Sequence, residues 1–334
     1  MSILYTGDRG FIAGYAIKEL LDSGYFVVGV DNDSKYGKVV KSYDNDNHYF
    51  HFFGDAKDKY FLIKLIKDFK VEQIILGAAL IGGIKYFHTK AYDIIAENEK
   101  ITAIGFDAAL WGFKEKLVKK INVISSSMVF EAQEPPNKED NLYKIPFSTY
   151  GFQKLSTEFF AKGAWEQYRL PYTVIRPFNA VGIGEYDAIK GVEENNSMVT
   201  SHVVPDLVRK VLKKDNPLII LGNGKQIRCY TYAGDIAKGI KECVENKKAI
   251  NESFNISTNV QTTVLELLKI IIDLCDVDVN FDIKYVKPYK YDVKKRVPDV
   301  SKAKEILNFE ANTPLRIAVK EVIDWIKDEL FIIS

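Results

Sequence analysis

TGDRGFIAG, residues 6–14, joins a short apolar segment, SILYT (2–6), to a stretch with helical periodicity. Gly7 and Gly10 follow the predicted strand directly, and Ala13 takes a third small position before the helix. In a strand–loop–helix unit, the first glycine permits a sharp turn and the second lets the backbone approach a pyrophosphate. The helix N-terminus adds free N–H groups and partial positive charge. The segment therefore predicts a phosphate-binding turn, with a glycine turn that binds no ligand as the alternative.

The second predicted strand, YFVVGVDN (25–32), ends in acidic residues. Asp31 lies 24 residues after Gly7, where a carboxylate accepts hydrogen bonds from an adenosine ribose. A carboxylate at this point repels the additional phosphate of NADP, so the pattern predicts NAD as the cofactor. Arg9 and Lys35 are nearby cations that oppose this preference.

Apolar segments alternate with helical patterns along the first half of the chain. The later predicted strands are residues 71–80, 121–127 and 171–179. This alternation indicates a parallel sheet covered by helices. We predict an α/β fold in which residues 1–178 form a Rossmann-type, doubly wound NAD-binding domain. Residues 179–334 are predicted to form mainly a smaller C-terminal α/β substrate lobe, with a polar loop at 182–197. Segments near 229–257 are expected to return to the first domain.

The composition excludes several classes of function. The chain has 334 residues, of which 47% are hydrophobic, and its 46 Lys and Arg nearly balance 45 Asp and Glu. This balance predicts no binding to nucleic acid or to an anionic membrane. The longest apolar run, near residues 74–84, is too short to span a bilayer. Three scattered cysteines and four histidines predict neither a disulfide framework nor a metal site. With no export signal visible at the start, we expect a cytoplasmic protein.

Several segments, taken in order along nearly the whole chain, resemble the extended short-chain dehydrogenase/reductases that act on nucleotide-diphosphate sugars. The matching segments are TGDRGFIAG (6–14), LGAALIGG (76–83), SSSMVF (125–130), YGFQK (150–154), RPFNAVG (176–182), GNGKQIRCYTYAGDIA (222–237) and RVPDVSKAKEILNF (296–309). In the first segment, Asp8 and Arg9 replace the glycine and alanine that are usual in the family. The order of the segments is far more specific than any one of them.

The resemblance implies a catalytic role for Tyr150, Lys154 and Ser126. Tyr150 would be the acid/base, Lys154 its electrostatic partner, and Ser126 the hydroxyl that orients the sugar oxygen. A tyrosine has an ordinary pKa of about 10, and a nearby positive charge favours its phenolate. Without the resemblance, a Tyr and a Lys four residues apart are simply neighbours on a helix.

The resemblance also implies the residues that bind the two ligands, NAD and a nucleotide-diphosphate sugar. The predicted cofactor-binding residues are Gly7, Arg9, Gly10, Phe11, Ile12, Asp31, Asn32, Asp55, Ala56, Leu76, Ala78, Ala79, Asn98, Tyr150 and Lys154. The predicted substrate-binding residues are Gly82, Gly83, Ser127, Met128, Asn179, His202, Val203, Arg228 and Arg296. Asn179 and the two arginines are predicted to surround the diphosphate, because the planar guanidinium makes two-point contacts with phosphate.

Departures from the family narrow the predicted reaction. The 4,6-dehydratases of the family carry Asp-Glu after the catalytic serine, whereas this chain has Ser127 and Met128. The 3,5-epimerases and GDP-fucose synthases carry a cysteine at the position of Met128, and a methionine has no exchangeable proton. We therefore predict oxidation at C4 without loss of water, either by a C4 epimerase or by a C4 dehydrogenase.

Two alternatives remain at this point. SHVVPDL (201–207) resembles the GDP-fucose synthase segment that holds a histidine acid/base, so His202 favours a GDP-sugar epimerase/reductase. A Rossmann-type binding protein without activity is the second alternative, although Ser126, Tyr150 and Lys154 are all present. Helices near residues 91–112 and 149–167 are expected, by the resemblance, to pair two copies into a homodimer.

Overall fold

The computed structural model describes residues 1–141, 144–190, 201–289 and 292–333. Of the loop predicted at 182–197, residues 191–197 lie outside the described residues, and Asp187–Lys190 form a short helix. Within the described ranges, no helix combines the length and the apolar character that crossing a membrane would require.

Strands and helices alternate through the first half of the chain, as the sequence predicts. The strands are β1 (Ser2–Thr6), β2 (Phe26–Asp31), β3 (Tyr49–Phe53), β4 (Gln73–Leu76), β5 (Lys120–Ile124), β6 (Tyr172–Pro177), β7 (Ala180–Val181), β8 (Leu218–Leu221), β9 (Ile227–Arg228), β10 (Thr231–Tyr232), β11 (Glu252–Ile256), β12 (Thr262–Thr263) and β13 (Ile283–Val286). The α-helices are α1 (Phe11–Asp22), α2 (Lys59–Asp68), α3 (Ile84–Thr89), α4 (Ala91–Lys114), α5 (Thr149–Tyr168), α6 (Asp187–Lys190), α7 (Val203–Leu212), α8 (Ala233–Glu245), α9 (Val264–Cys275), α10 (Ser301–Leu307) and α11 (Leu315–Ile333). Short 3₁₀ helices occupy Ser127–Phe130 and Lys247–Ala249.

A seven-stranded parallel sheet forms the centre of the molecule, in the order β11-β6-β5-β4-β1-β2-β3. One face packs on α1, α8 and α10, through residues such as Ile17, Leu20 and Ile240. The other face packs on α2, α4 and α5, through residues such as Leu65 and Phe106. Burial on both faces explains why the central strands read as continuous apolar runs. The predicted α/β fold with a parallel, doubly wound sheet is confirmed.

The sheet has its topological reversal at β1, which pairs with β2 on one side and β4 on the other. In such sheets, the connections leave in opposite directions at this point and open a crevice at the carboxyl ends of the strands. The glycine loop follows β1 directly, so the fold places it at the mouth of the crevice.

The C-terminal half contributes to two structures. Helices α7, α9 and α11 pack together with β8 in a separate apolar core, and β8 pairs with β13. By contrast, β11 adds to the edge of the large sheet, beside β6. We therefore propose that β11 belongs to the N-terminal domain, and that the substrate lobe is formed mainly by the rest of the chain after residue 178.

Candidate active site

The glycine loop makes a tight backbone turn against the end of β4. Gly7 has a φ of +77°, and a Cβ atom there would lie 2.7 Å from the Cα of Ala78. The positive φ and the short distance to Ala78 both require a glycine at position 7. Helix α1 begins at Phe11, and its N-cap residue, Gly10, has no side chain to bond the first-turn N–H groups. The N–H groups of the first turn therefore remain available to a diphosphate.

The backbone holds the carboxylate of Asp31 at the end of β2. The Arg9 N–H donates to one carboxylate oxygen at 3.2 Å, and the Asp33 N–H donates to the other at 2.8 Å. Burial raises the pKa of Asp31, while the two N–H groups oppose that shift. The glycine turn and the free N–H groups at the start of α1 fit the pyrophosphate of NAD. The fixed carboxylate of Asp31 fits its adenosine ribose.

Asp8, which departs from the family pattern, turns inward. Its side chain is fully buried, accepts a hydrogen bond from the Tyr49 hydroxyl, and lies 2.9 Å from Nδ1 of His51. Gly29 of β2 makes room for it, because a Cβ there would lie 2.0 Å from the Asp8 carboxylate. Asp8 thus joins the glycine loop to β2 and β3 and does not contact the cavity.

Ser126, Tyr150 and Lys154 come together at the carboxyl end of β5 and the first turns of α5. Ser148 caps α5, its Oγ accepting the Gly151 N–H at 2.9 Å. Tyr150 and Lys154 therefore lie one turn apart, both buried. Lys154 Nζ donates to the Ile124 carbonyl at 2.9 Å and lies 5.9 Å from the centre of the Tyr150 ring.

Burial controls the ionisation of this pair. It raises the pKa of Tyr150, and this outweighs the opposite effects of a hydrogen bond with Ser126 and of the Arg296 charge. Burial also lowers the pKa of Lys154 to about 8. The arrangement therefore holds the tyrosine as a neutral phenol near neutral pH, and positive charge brought close to it would favour the phenolate.

Arg176 does not enter the cavity, although the sequence placed it in a segment that resembles a substrate-site turn. Its Nε and Nη2 atoms each donate to Glu158 at 2.7 Å, and Ser125 Oγ donates to the same carboxylate at 2.6 Å. Glu158 lies one turn after Lys154 on α5. The buried ion pair therefore joins β5 and β6 to α5 and fixes the helix that carries Tyr150 and Lys154.

Phe87 of α3 covers the Tyr150 ring. The two rings are stacked, with centroids 4.5 Å apart and planes 8° apart. Phe87 also lines the cavity. The stack excludes water from one face of the tyrosine and adds to the burial that raises its pKa.

Two arginines and an asparagine lie in the part of the cavity formed by the C-terminal half. Arg228 pairs with Asp292 at 3.0 Å, and Asn179 Nδ2 donates to the Cys229 carbonyl at 3.2 Å. Arg296 is buried, and its Nε has no hydrogen-bond partner within the described part of the chain. Burial and the Arg228 charge lower the pKa of Arg296 to about 9. A buried, unpaired guanidinium donor fits a diphosphate.

His202 precedes α7 and pairs with Glu185. Its Nδ1 lies 2.5 Å from the Glu185 carboxylate, which also accepts the His202 N–H at 3.2 Å. Burial lowers the pKa of His202, but Glu185 more than offsets this and leaves that pKa raised. Glu185 itself is buried, while about half of the His202 side chain is exposed.

Most of the predicted residues share one cavity of about 760 Å³. Those that line it are Gly7, Arg9, Gly10, Phe11, Ile12, Asp31, Asn32, Asp55, Ala56, Ala78, Ala79, Ser126, Ser127, Met128, Tyr150, Lys154, Asn179, His202, Val203, Arg228 and Arg296. This cavity is therefore lined by the glycine loop, by the Tyr150–Lys154 pair and by the buried arginines.

Four predicted residues do not line this cavity. Leu76 is buried in the core, against Gly105 of α4. Asn98 bonds the backbone of Leu80: its side-chain oxygen accepts the Leu80 N–H at 2.6 Å, and its side-chain nitrogen donates to the Leu80 carbonyl at 3.0 Å. Gly82 and Gly83 lie at the start of α3, where Gly83 is the N-cap. The structure thus places these four residues outside the lining of the cavity, and their assignment to ligand binding stays a prediction.

Known proteins similar to this chain include enzymes that use NAD, as the geometry of the cavity indicates. The model of the NAD-dependent epimerase/dehydratase family matches residues 3–257, which is more than half of the chain. The chain belongs to that family. It is an NAD-dependent enzyme of the extended short-chain dehydrogenase/reductase type, and its family acts on nucleotide sugars.

Individual members of the epimerase/dehydratase family are similar over almost the full length. A UDP-N-acetyl-alpha-D-glucosaminuronate decarboxylase of Bacillus cytotoxicus is 28% identical, with 97% of each chain covered. A putative UDP-glucose 4-epimerase of Methanocaldococcus jannaschii is 29% identical, with 98% of each chain covered. The crystal structure of a Thermotoga maritima UDP-glucose 4-epimerase with UDP-glucose has a TM-score of 0.83 and 26% identity, covering 99% of this chain and 100% of that one.

The sequence missed several residues of this epimerase/dehydratase cavity. Lys35, Tyr36, Phe87, Glu185 and Asp292 all line it. Lys35 attracted notice only as a charge near the cofactor, and none of the others belongs to a motif with fixed spacing. Glu185 lies three residues after the RPFNAVG segment, so a search for acidic residues beside that motif would have found it.

Proposed function

We propose that the protein oxidises C4 of a UDP-linked sugar with NAD and acts as a C4 epimerase. The observation that carries this proposal is the convergence of Ser126, Tyr150 and Lys154 on the cavity that the glycine loop also lines. The absence of an acid/base side chain at Ser127 and Met128 supports epimerisation over dehydration.

In the proposed reaction, Tyr150 accepts the proton of the sugar C4 hydroxyl as the C4–H bond breaks. NAD, when bound, supplies the hydride acceptor and a positive charge beside the tyrosine. Lys154 stabilises the phenolate form, and Ser126 holds the sugar oxygen by a hydrogen bond. General-base catalysis of this kind works best when the pKa of the base is near the working pH. Because burial raises the pKa of free Tyr150, the positive charges of Lys154 and of bound NAD would lower that pKa toward the working pH.

Dehydration requires an additional acid and base for loss of the C6 hydroxyl. Ser127 and Met128 both line the cavity beside Ser126, but a serine is a weak acid and a methionine has no exchangeable proton. We therefore propose that the 4-keto sugar keeps its C6 hydroxyl.

The loop between β2 and β3 favours an epimerase over a dehydrogenase. Lys35 Nζ donates to the Ile81 carbonyl and lies 3.4 Å from Asp187 of α6. The Tyr36 ring packs edge-on against the Tyr186 ring, with centroids 5.7 Å apart. The loop thus connects the cofactor side of the cleft to the C-terminal half, which hinders exchange of the cofactor. An epimerase restores its cofactor in each turnover, whereas a dehydrogenase must exchange or reoxidise it.

The names of the relatives support uridine as the base, since those described above act on UDP-sugars. The GDP alternative depended on His202 as an acid/base. We propose instead that His202 and Glu185 form a structural ion pair at the start of α7. A C4 dehydrogenase remains the second candidate, because it shares the first step with the epimerase.

A substrate deuterated at C4 tests the proposal. UDP-glucose is the first substrate, followed by a UDP-hexuronate and a GDP-hexose, with the product analysed by NMR and mass spectrometry. Retained deuterium with inverted C4 configuration supports an epimerase. A 4-keto sugar that has lost its deuterium indicates a dehydrogenase, and a hexuronate that also loses CO₂ indicates a decarboxylase. A 4-keto-6-deoxy product would show that the argument from Ser127 and Met128 is wrong.

We also propose that the enzyme is a homodimer formed through α4 and α5. These helices pack together, with the Thr102 and Thr157 hydroxyls 3.1 Å apart. Tyr92, Phe152 and Phe159 are large apolar side chains on their exposed surface. A second copy would cover this surface. A monomer in light scattering at micromolar concentration would contradict the proposal.

A further inference from the structure

Arg9 places a buried positive charge beside the expected adenosine site. It lies two residues after Gly7, its N–H binds Asp31, and its side chain lines the cavity while only 11% exposed. In dinucleotide-binding folds, an arginine near the acidic residue of the second strand accommodates the 2′-phosphate of NADP. An explanation of NAD preference through Asp31 alone is therefore incomplete.

The charge of Arg9 is already paired within the protein. Nη1 lies 2.5 Å from Oδ1 of Asp44, and the other Asp44 oxygen accepts the Lys41 N–H at 2.9 Å. The Asp44 carboxylate is thus held in place by the same loop that carries it. The Arg9 guanidinium also lies 5.7 Å from the centre of the Tyr49 ring, which restricts its movement further.

His51 does not provide an equivalent partner for Arg9. Its Nδ1 lies 3.3 Å from Arg9 Nε but 2.9 Å from Asp8 Oδ2. One ring nitrogen either donates or accepts, so it serves one of these two neighbours. The contact with the Asp8 carboxylate is the shorter and charge-assisted one. Asp8 Oδ2 also lies 3.9 Å from Arg9 Nε, which is beyond hydrogen-bond distance. Asp44 is therefore the carboxylate that makes a charge-assisted hydrogen bond with Arg9.

We propose that Asp44 determines cofactor specificity by pairing with Arg9, so that this arginine does not bind a 2′-phosphate and the site selects NAD over NADP. Asp31 repels the 2′-phosphate of NADP directly, whereas Asp44 acts by forming an ion pair with Arg9, the cation that would otherwise bind this phosphate. The inference concerns the cofactor site only. Failure of the proposed C4 chemistry would leave it intact, because its test measures binding.

Asp44→Asn removes the charge and keeps both the size of the side chain and an acceptor for the Lys41 N–H. Cofactor is first stripped from the protein, and the affinities for NAD⁺ and NADP⁺ are then measured separately by calorimetry. We expect the affinity for NADP⁺ to rise about tenfold or more, which is the effect of one charge-assisted contact, and the affinity for NAD⁺ to stay within about twofold.

Two further variants isolate the mechanism. Asp46→Asn makes the same change of charge in the same loop, at a side chain that is 38% exposed and does not contact Arg9. It should leave the ratio of the two affinities unchanged. Adding Arg9→Gln to Asp44→Asn should abolish the gain in NADP⁺ affinity, because the freed cation is then absent.

An unchanged ratio in folded Asp44→Asn protein would overturn the proposal, and so would a gain that persists without Arg9. If Asp44→Asn does not fold, Asp31→Asn provides an independent test. Arg9 remains paired in that variant, so NAD⁺ affinity should fall while NADP⁺ binding stays weak. Full conversion to NADP⁺ preference by Asp31→Asn alone would show that Asp44 does not restrain Arg9.

Discussion

Arg9 and Arg296 are both buried arginines that line the same cavity, but their electrostatic surroundings differ. Burial lowers the pKa of Arg9, yet Asp44, Tyr49 and Asp8 more than offset this and leave it raised. Burial and the neighbouring Arg228 lower the pKa of Arg296 to about 9, despite some compensation by Glu131 and Asp292. Arg9 has a carboxylate within hydrogen-bond distance, whereas Arg296 Nε has no partner within the described residues.

The difference shows that burial of a charge does not by itself identify a ligand site. A buried cation with a paired carboxylate contributes to the protein's own structure. A buried cation without a paired carboxylate destabilises the ligand-free protein, and this cost is removed when an anionic ligand binds to it. By this criterion, we expect Arg296 to bind a substrate diphosphate and Arg9 not to bind the 2′-phosphate of NADP.

Tyr150→Phe tests whether the cavity that Arg9 and Arg296 share is catalytic, and of the proposed variants it should have the largest effect. Loss of the proton acceptor should reduce kcat by about 10²–10⁴-fold, the usual contribution of general acid–base catalysis. Cofactor binding should persist. Tyr168→Phe, on an exposed part of the same helix, is the matched control. Retained turnover in Tyr150→Phe would remove the tyrosine from the mechanism.

Arg296→Met tests the availability of the unpaired arginine. Loss of a charge-assisted contact with the diphosphate should raise KM about 10–100-fold. The melting temperature of the ligand-free protein should not fall, since the charged form of Arg296 is disfavoured by burial. Arg316→Met, an exposed arginine paired with Asp273, controls for the loss of charge. A lower melting temperature with unchanged KM would reverse the assignment.

Arg9→Met should show the opposite pattern. Removal of Arg9 leaves Asp44 without its cation and should lower the free energy of unfolding by about 1–2 kcal/mol. The melting temperature should then fall by about 1.5–3 °C. Differential scanning fluorimetry on cofactor-stripped protein measures this, again beside Arg316→Met. Equal melting of the Arg9 and Arg296 variants would mean that pairing does not distinguish the two arginines.

The His202–Glu185 ion pair is a second paired charge, and its smaller contribution to stability should depend on pH. The folded-state pKa of His202 is raised, so its contribution to stability is complete below its unfolded pKa of 6.5 and is lost as pH rises through the folded value. The folded-state pKa of Glu185 is lowered, so its contribution is present above its unfolded pKa of 4.5 and is lost at lower pH. The stability difference between wild type and His202→Gln should therefore be largest between pH 4.5 and pH 6.5, the two unfolded pKa values.

Melting curves from pH 4 to pH 9 would measure that difference. His48→Gln is the control, because His48 is a mostly exposed histidine that also lies near a carboxylate. A difference between wild type and His202→Gln that stays constant with pH would mean that the ion pair does not contribute to stability.

The sequence predicted the features that depend on short spacing. Gly7 and Asp31 follow from a local strand–loop–helix pattern, whereas the Tyr150–Lys154 pair follows from the family resemblance of its segment. All four residues line the cavity. Side-chain direction was harder to predict. Leu76 and Arg176 lie in motifs that resemble site segments, yet both side chains turn into the interior.

Contacts between distant segments could not be predicted at all. Arg9 and Asp44 are 35 residues apart, and Phe87 and Tyr150 belong to different helices. Their pairing depends on how the β2–β3 loop and α3 pack across the crevice. No single-sequence pattern encodes that packing, because each segment alone is compatible with many arrangements.

The close fit of Asp8 over Gly29 implies that these two positions are genetically coupled. A Cβ at position 29 would lie 2.0 Å from the Asp8 carboxylate and 2.8 Å from the Asp8 Cβ. Gly29→Ala should therefore be harmful in this background and tolerated after Asp8→Gly. Among descendants of this enzyme, the order in which the two substitutions arise would decide which evolutionary routes stay open.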